Sequence, residues 1–140
     1  MAKRRKGTER LTLLGRGAVP VPASPAAARL ETFSNLYPRR PYIIEFDCPE
    51  FTAVCPVTGQ PDFGHLRIRY VPARTCVESK SLKVYLLAYR NTGIFHEEVV
   101  NRVLEDLVKA CRPREAEVVG EFRPRGGISI RVTARYSKGA

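Results

Sequence analysis

From Gly64 to Val71 the chain alternates strictly. Leu66, Ile68 and Tyr70 fall on one side and His65, Arg67 and Arg69 on the other, the period of a strand with one apolar and one cationic face. The run Pro41-Tyr-Ile-Ile-Glu-Phe-Asp47 gives an earlier strand. The period then lengthens. Thr75 with Glu78 three residues later fits a capping box, predicting a helix through Leu82, Val84, Tyr85, Leu86 and Tyr89 that Asn91-Thr-Gly93 closes. A second helix is predicted from about Phe95 to Arg112. Its apolar residues Phe95, Val99, Val100, Val103, Leu104, Leu107 and Val108 recur at helical spacing, and Pro113 stops it. Glu115 to Phe122 and Ile128 to Arg135 alternate again, with Ile128, Ile130, Val132 and Ala134 on one side. Arg123-Pro-Arg-Gly-Gly127 joins them as an antiparallel hairpin.

Two strands, two helices and two strands predict an α+β layer: a four-stranded antiparallel sheet with two helices on one face and open edge strands that a second subunit can pair with. Residues 1–35 lack this periodicity and read as a basic, Pro/Ala-rich arm, mobile or draped on the surface; residues 36–140 form one domain. The formal charge is +10, but residues 1–16 hold six basic residues against one acid, so the body is only mildly basic. Pro20, Pro22 and Pro25 interrupt the apolar stretch after that basic run, which excludes a signal peptide, and no segment is long enough to span a membrane. Cys48, Cys55, Cys76 and Cys111 are scattered, so a disulfide framework is not expected and a cytoplasmic location is.

Three segments carry candidate chemistry. In Cys55-Pro-Val-Thr-Gly-Gln-Pro-Asp62 the turn residues bring a thiol and a carboxylate toward one pocket, as a nucleophile and proton partner require. The same loop also fits a small buried cysteine and a turn-capping aspartate. Glu78-Ser-Lys-Ser-Leu-Lys-Val-Tyr85 places Ser79, Lys80 and Lys83 at a helix start, where free N–H groups attract anions, although a capped helix with a solvated basic face has the same pattern. In Phe95-His-Glu-Glu98, Glu98 shares the polar face with Arg102 and Glu105, whereas Glu97 lines up with Leu104 and Val108 and is expected to face the core side. A carboxylate there suits the two adjacent N–H donors of a guanine-like ring, and His96 suits proton relay; capping and a structural histidine are the alternatives.

These three motifs, in this order, resemble those of the NADPH-dependent 7-cyano-7-deazaguanine reductases, the QueF family of queuosine biosynthesis, over about Tyr42 to Arg135. The length is similar to the family's short, single-module branch. The resemblance implies a tunnelling fold of ββααββ units closing into barrels, assembled as pentamers stacked into decamers with active sites between subunits. It implies Cys55 as the nucleophile forming a thioimide with the nitrile, Asp62 as its proton donor and acceptor, and two hydrides from NADPH. His96 and Glu97, with Val77, Glu78 and Ser79, would hold the deazaguanine. Ser79, Lys80 and Lys83, joined by Arg125 and Gly126, would face the cofactor phosphates. No metal, membrane or direct nucleic-acid partner is implied. Two other classes remain open at this point: another purine- or pterin-binding enzyme of the same fold, with Cys48, Cys55, His65 and Cys111 as candidate zinc ligands, and an RNA-binding module using Arg67 and Arg69.

Overall fold

A computed structural model of the chain describes residues 6–15 and 17–139. After a 3-10 turn at Pro25–Ala27 come β1 (Thr32–Ser34), β2 (Ile44–Val54), β3 (Pro61–Val71), β4 (Thr75–Val77), α1 (Ser79–Leu87), α2 (His96–Cys111), β5 (Glu115–Arg125) and β6 (Ile128–Ser137). The fold is α+β. An antiparallel four-stranded sheet has the order β2-β3-β5-β6, and β1 pairs with β4 in a separate two-stranded ladder. No helix among the described residues is long and apolar enough to cross a membrane.

The helical stripe on α2 buries Val99, Val100, Val103, Leu104, Leu107 and Cys111 against β5 and β6. They meet Leu66, Ile68, Tyr70, Ala116, Val118 and Phe122 from the sheet in a single core. Each fully buried aliphatic side chain contributes roughly 1.5–3 kcal/mol, so this layer carries the stability. Arg112 ends the helix in the left-handed region (φ 45°), its N–H bonded to the Val108 carbonyl at 2.8 Å, and Pro113 prevents continuation.

On β3 the cationic side is paired. Arg69 lies 3.5 Å from Glu45, Arg67 lies 3.8 Å from Asp47, and His65 also bonds Asp47. The unneutralised face that RNA binding requires is therefore not there. Arg135 with Glu117 and Arg131 with Glu121 extend the same ladder across β5 and β6. Exposed pairs of this kind stabilise by about 0–1 kcal/mol each; they make the face polar rather than hold the fold.

Several expected boundaries move, each for a local reason. β2 runs on to Val54 instead of ending at Asp47, because a register shift between Cys48 and Phe51 accommodates Pro49 on an edge strand, where its missing N–H costs nothing. β5 likewise passes Pro124 through an irregularity and reaches Arg125, leaving only Gly126 and Gly127, both at positive φ, to turn the hairpin. Thr75 does not cap α1. It belongs to β4, its hydroxyl donating to the Cys111 carbonyl, and Glu78 is the cap, accepting from the N–H groups of Lys80 (2.7 Å) and Ser81 (2.8 Å).

The end of the expected arm is part of the folded body. Buried Glu31 accepts from the Thr12 N–H and hydroxyl at 2.6 Å each and from the Leu13 N–H at 3.1 Å, while its own N–H donates to Ser81 Oγ at 2.9 Å. Thr32 to Ser34 then pair with β4. A hydrogen-bonded carboxylate hub has no apolar period, so composition alone reads this segment as loose. The basic run Lys3, Arg4 and Arg5, with Arg16, lies outside the described residues.

Candidate active site

Where β2 ends, the Val54 N–H donates to the Thr92 carbonyl and its own carbonyl accepts from the Ile94 N–H, each at 3.1 Å. These two bonds seat the Cys55 loop against the linker into α2, so the thiol and His96, far apart in sequence, share one corner of the fold. The approach is close. A Cβ on Gly93 would lie 3.2 Å from Pro56 Cα, tighter than ordinary contact. The loop closes on itself through the Cys55 N–H to the Gln60 carbonyl (2.8 Å) and the Gly59 N–H to the Cys55 carbonyl (2.9 Å), with Gly59 at φ +72°.

Asp62 follows on β3 with its side chain only 7% exposed. Arg125 Nη2 lies 2.7 Å from Asp62 Oδ1, and His96 Nε2 lies 3.4 Å from the same oxygen. The histidine contact is within ion-pair range but lacks hydrogen-bond geometry, so Nε2 is buried with no hydrogen-bond partner among the described residues. Its ring stacks on Phe122, centroids 4.0 Å apart and planes within 2°. Room for Phe122 comes from two glycines in mid-strand. A Cβ at either Gly64 or Gly120 would come within 2.8 Å of the Phe122 ring. The imidazole is thus fixed by packing, and its orphaned nitrogen marks a site built to meet another group.

The Cys55 thiol is pulled down to about 6. The Thr58 hydroxyl is the largest cause, followed by the backbone N–H groups of Thr58 and Val57 and by the Arg125 guanidinium. Cys48 moves the other way, pushed up to about 11 by burial and by Asp47, and Cys111 is pushed up to about 12 by burial and by Cys76. A partly exposed thiolate beside a buried carboxylate and an orphaned imidazole can add to an electrophilic carbon and serve proton transfer.

A family model described as QueF-like protein matches residues 61–140. The NADPH-dependent 7-cyano-7-deazaguanine reductase of Anaeromyxobacter sp. (strain Fw109-5) is 58% identical over 118 residues, covering 84% of this chain and 96% of that protein. The chain belongs to this reductase family. Proteins of the same name from Syntrophus aciditrophicus (strain SB) and Neisseria meningitidis serogroup B are 55% and 46% identical, over 92% and 99% of this chain and 88% of each relative. The fold is also that of an archaeosine synthase QueF-Like crystal structure in the apo form, with a TM-score of 0.65 at 24% identity, covering 72% of this chain and 98% of the other.

Within one chain of this reductase family, the expected site residues divide into two groups. Cys55, Asp62 and His96 share one corner, and Arg125, expected among the cofactor ligands, joins them there through Asp62, the Gln60 carbonyl (3.4 Å) and the thiol. No hydrogen bond joins Cys55 to Asp62 directly; Arg125 reaches both. Among the described residues no hydrogen bond or ion pair links this corner to segment 77–83. In that segment Val77 is buried, its N–H donating to the Tyr70 hydroxyl, and Glu78 is buried as the α1 cap. Only Ser79 of the three is exposed.

Two electrostatic expectations need correction. The first-turn N–H groups of α1 do not lie free for an anion, because the Glu78 carboxylate takes two of them and sets a negative charge where a phosphate would sit. Charge for an anion comes instead from the side chains: Lys83 is exposed, and Lys80 Nζ donates to the Gly17 carbonyl at 3.1 Å. Glu97 does not face the core. It lies on the apolar stripe by angle, but in the first turn of α2, where nothing among the described residues covers it, and its side chain is exposed.

Gly126 is exposed in the hairpin turn, and no group of three or more His, Cys, Asp or Glu side chains among the described residues is gathered as metal ligands would be. Thr58, Phe122, Gly64, Gly93 and Gly120 escaped the sequence reading. Glycine inside a strand, where it weakens pairing, was the signal available for Gly64 and Gly120.

Proposed function

We propose that this chain catalyses the NADPH-dependent reduction of the nitrile of 7-cyano-7-deazaguanine to the aminomethyl group, a step of queuosine biosynthesis, with Cys55 as covalent nucleophile. The depressed Cys55 thiol beside Asp62 and His96, in a member of this family, carries the reading. The thiolate adds to the nitrile carbon, a C–S bond forms, and the nitrogen takes a proton delivered through the Asp62–His96 pair, giving a thioimide. When bound, NADPH supplies hydride, and two equivalents carry the nitrile to the amine. After the first reduction the C–S bond breaks and Cys55 departs as a thiolate, which its low pKa favours. The imine so released takes the second hydride and another proton from the same pair. Arg125 holds the thiolate and orients Asp62, a role that places it at the reacting corner rather than on a phosphate.

Glu97 receives the two adjacent N–H donors of the deazaguanine edge, with His96, exposed Ser79 and the backbone of Val77 and Glu78 completing the pocket. Lys80 and Lys83 face the cofactor phosphates through their ammonium groups, a phosphate displacing the Gly17 carbonyl from Lys80, and Gly126 lets the hairpin backbone approach closely. The two clusters become one site only when a neighbouring subunit supplies the missing half. Several features support this: the exposed Glu97, the outer edges of β2 and β6 that pair with no further strand among the described residues, and the absence of Cys55, Asp62 and His96 from the linings of cavities of about 670 and 680 Å³. Pairing at those edges gives a barrel, and stacked pentamers give a decamer.

Turnover and mass test the reading together. NADPH oxidation is expected only with the cyano-deazaguanine present and is abolished in Cys55→Ala. Oxidation without nitrile, or undiminished in the variant, refutes it. Light scattering on the purified chain is expected to give the decamer, and a monomer with full activity would remove the shared site.

A further inference from the structure

We infer that the groove between the N-terminal segment and α2 is a binding site for a nucleoside polyphosphate, separate from the reductase site. The cavity measures about 670 Å³, the volume of a nucleotide-sized pocket. Four cations reach it: Arg10 and Arg29 from the segment, Arg102 and Lys109 from α2. Its lining includes none of Cys55, Asp62, His96, Ser79, Lys80 or Lys83.

The same groove holds two acids against its four cations, which leaves it net positive, and both carboxylates already have partners. Glu31 accepts three hydrogen bonds from Thr12 and Leu13, and Asp106 accepts the Tyr85 hydroxyl at 2.5 Å with Arg102 at 4.0 Å. Arg10, Arg29 and Lys109 have no acceptor among the described residues. Cations left unneutralised in a concave wall raise the local anion concentration, and guanidinium groups grip phosphate with paired donors. Arg102 and Lys109 are two helical turns apart on one face, about 10 Å along the axis, a span that suits a chain of phosphates rather than a single ion. The Glu31 hub, with its Ser81 bond, holds the segment as a fixed wall. That concavity favours a small molecule over an RNA backbone.

Calorimetric titration of the full chain with ATP and with inorganic tripolyphosphate, at fixed low salt, tests the site. Besides binding at the Lys80 and Lys83 cluster, a separate saturable site is expected, weakened tenfold or more in Arg29→Gln/Lys109→Gln and unchanged in Lys83→Ala. Both substituted residues are exposed, so the fold is expected to survive, and the Michaelis constant for NADPH is expected to stay the same. No saturable binding at millimolar ligand, equal affinity in the double variant, or loss in Lys83→Ala instead would overturn the assignment. Displacement of ATP by a tighter-binding single-stranded RNA would reassign the groove to nucleic acid and overturn it as well.

Discussion

Thr58→Val isolates the group that holds Cys55 as a thiolate. The hydroxyl is the largest of the influences that bring the thiol to about 6, and valine removes it while leaving the backbone donors of Thr58 and Val57 in place. At pH 7 a thiol of pKa about 6 is about nine-tenths ionised, whereas an ordinary one near 8.5 is about 3% ionised. Losing the hydroxyl is expected to carry the midpoint from about 6 to about 7 or above. Rate alone misleads here, because a more basic thiolate is also a better nucleophile by roughly threefold for each unit its pKa rises, so the plateau rises as the midpoint moves. The diagnostic quantity is the midpoint of the iodoacetamide alkylation rate against pH, read at Cys55 by peptide mass spectrometry. Cys48 and Cys111, with thiols pushed up to about 11 and about 12, stay silent in that range. A wild-type midpoint near 8.5, or one that Thr58→Val leaves in place, refutes the reasoning.

Further predictions follow from the geometry. Glu78→Ala strips the acceptor from two N–H groups at the start of α1 and is expected to cost about 1–2 kcal/mol, measured as a lower denaturation midpoint; an unchanged midpoint would mean the cap is dispensable. Gly93→Ala presses a methyl against Pro56 and is expected to lower kcat/KM by about tenfold or more through a displaced nucleophile; an unchanged kcat/KM would mean the loop yields without moving the thiol. Arg125→Lys keeps a charge but loses the fork that reaches Asp62 and the thiol, so the alkylation midpoint is expected to rise with little change in the Michaelis constant for NADPH. The reverse pattern would return Arg125 to the cofactor.

Elements with an unbroken period were legible from sequence. α2 and β3 follow their apolar positions because one face of each meets a single core. Pro49 and Pro124 obscured β2 and β5, since a bulge lets a strand continue through a residue that usually ends one. The surroundings of the Cys55 thiol were not legible, only the loop motif that carries it. The donors that depress its pKa are a threonine hydroxyl and loop N–H groups whose aim depends on the closed turn, and the arginine arrives from a hairpin near the far end of the chain. The Phe122 platform under His96 depends on absent side chains at Gly64 and Gly120, which a search for functional groups passes over. Glu97 was misplaced because angular position on a helix says which side a residue faces, not whether anything lies there.

Intact-protein mass spectrometry of the chain incubated with 7-cyano-7-deazaguanine in the absence of NADPH tests the central claim most directly. The account predicts a mass increase of one substrate molecule per chain, mapped to Cys55 and absent from Cys55→Ala. Full turnover with no such adduct, or an adduct on another cysteine, would contradict it.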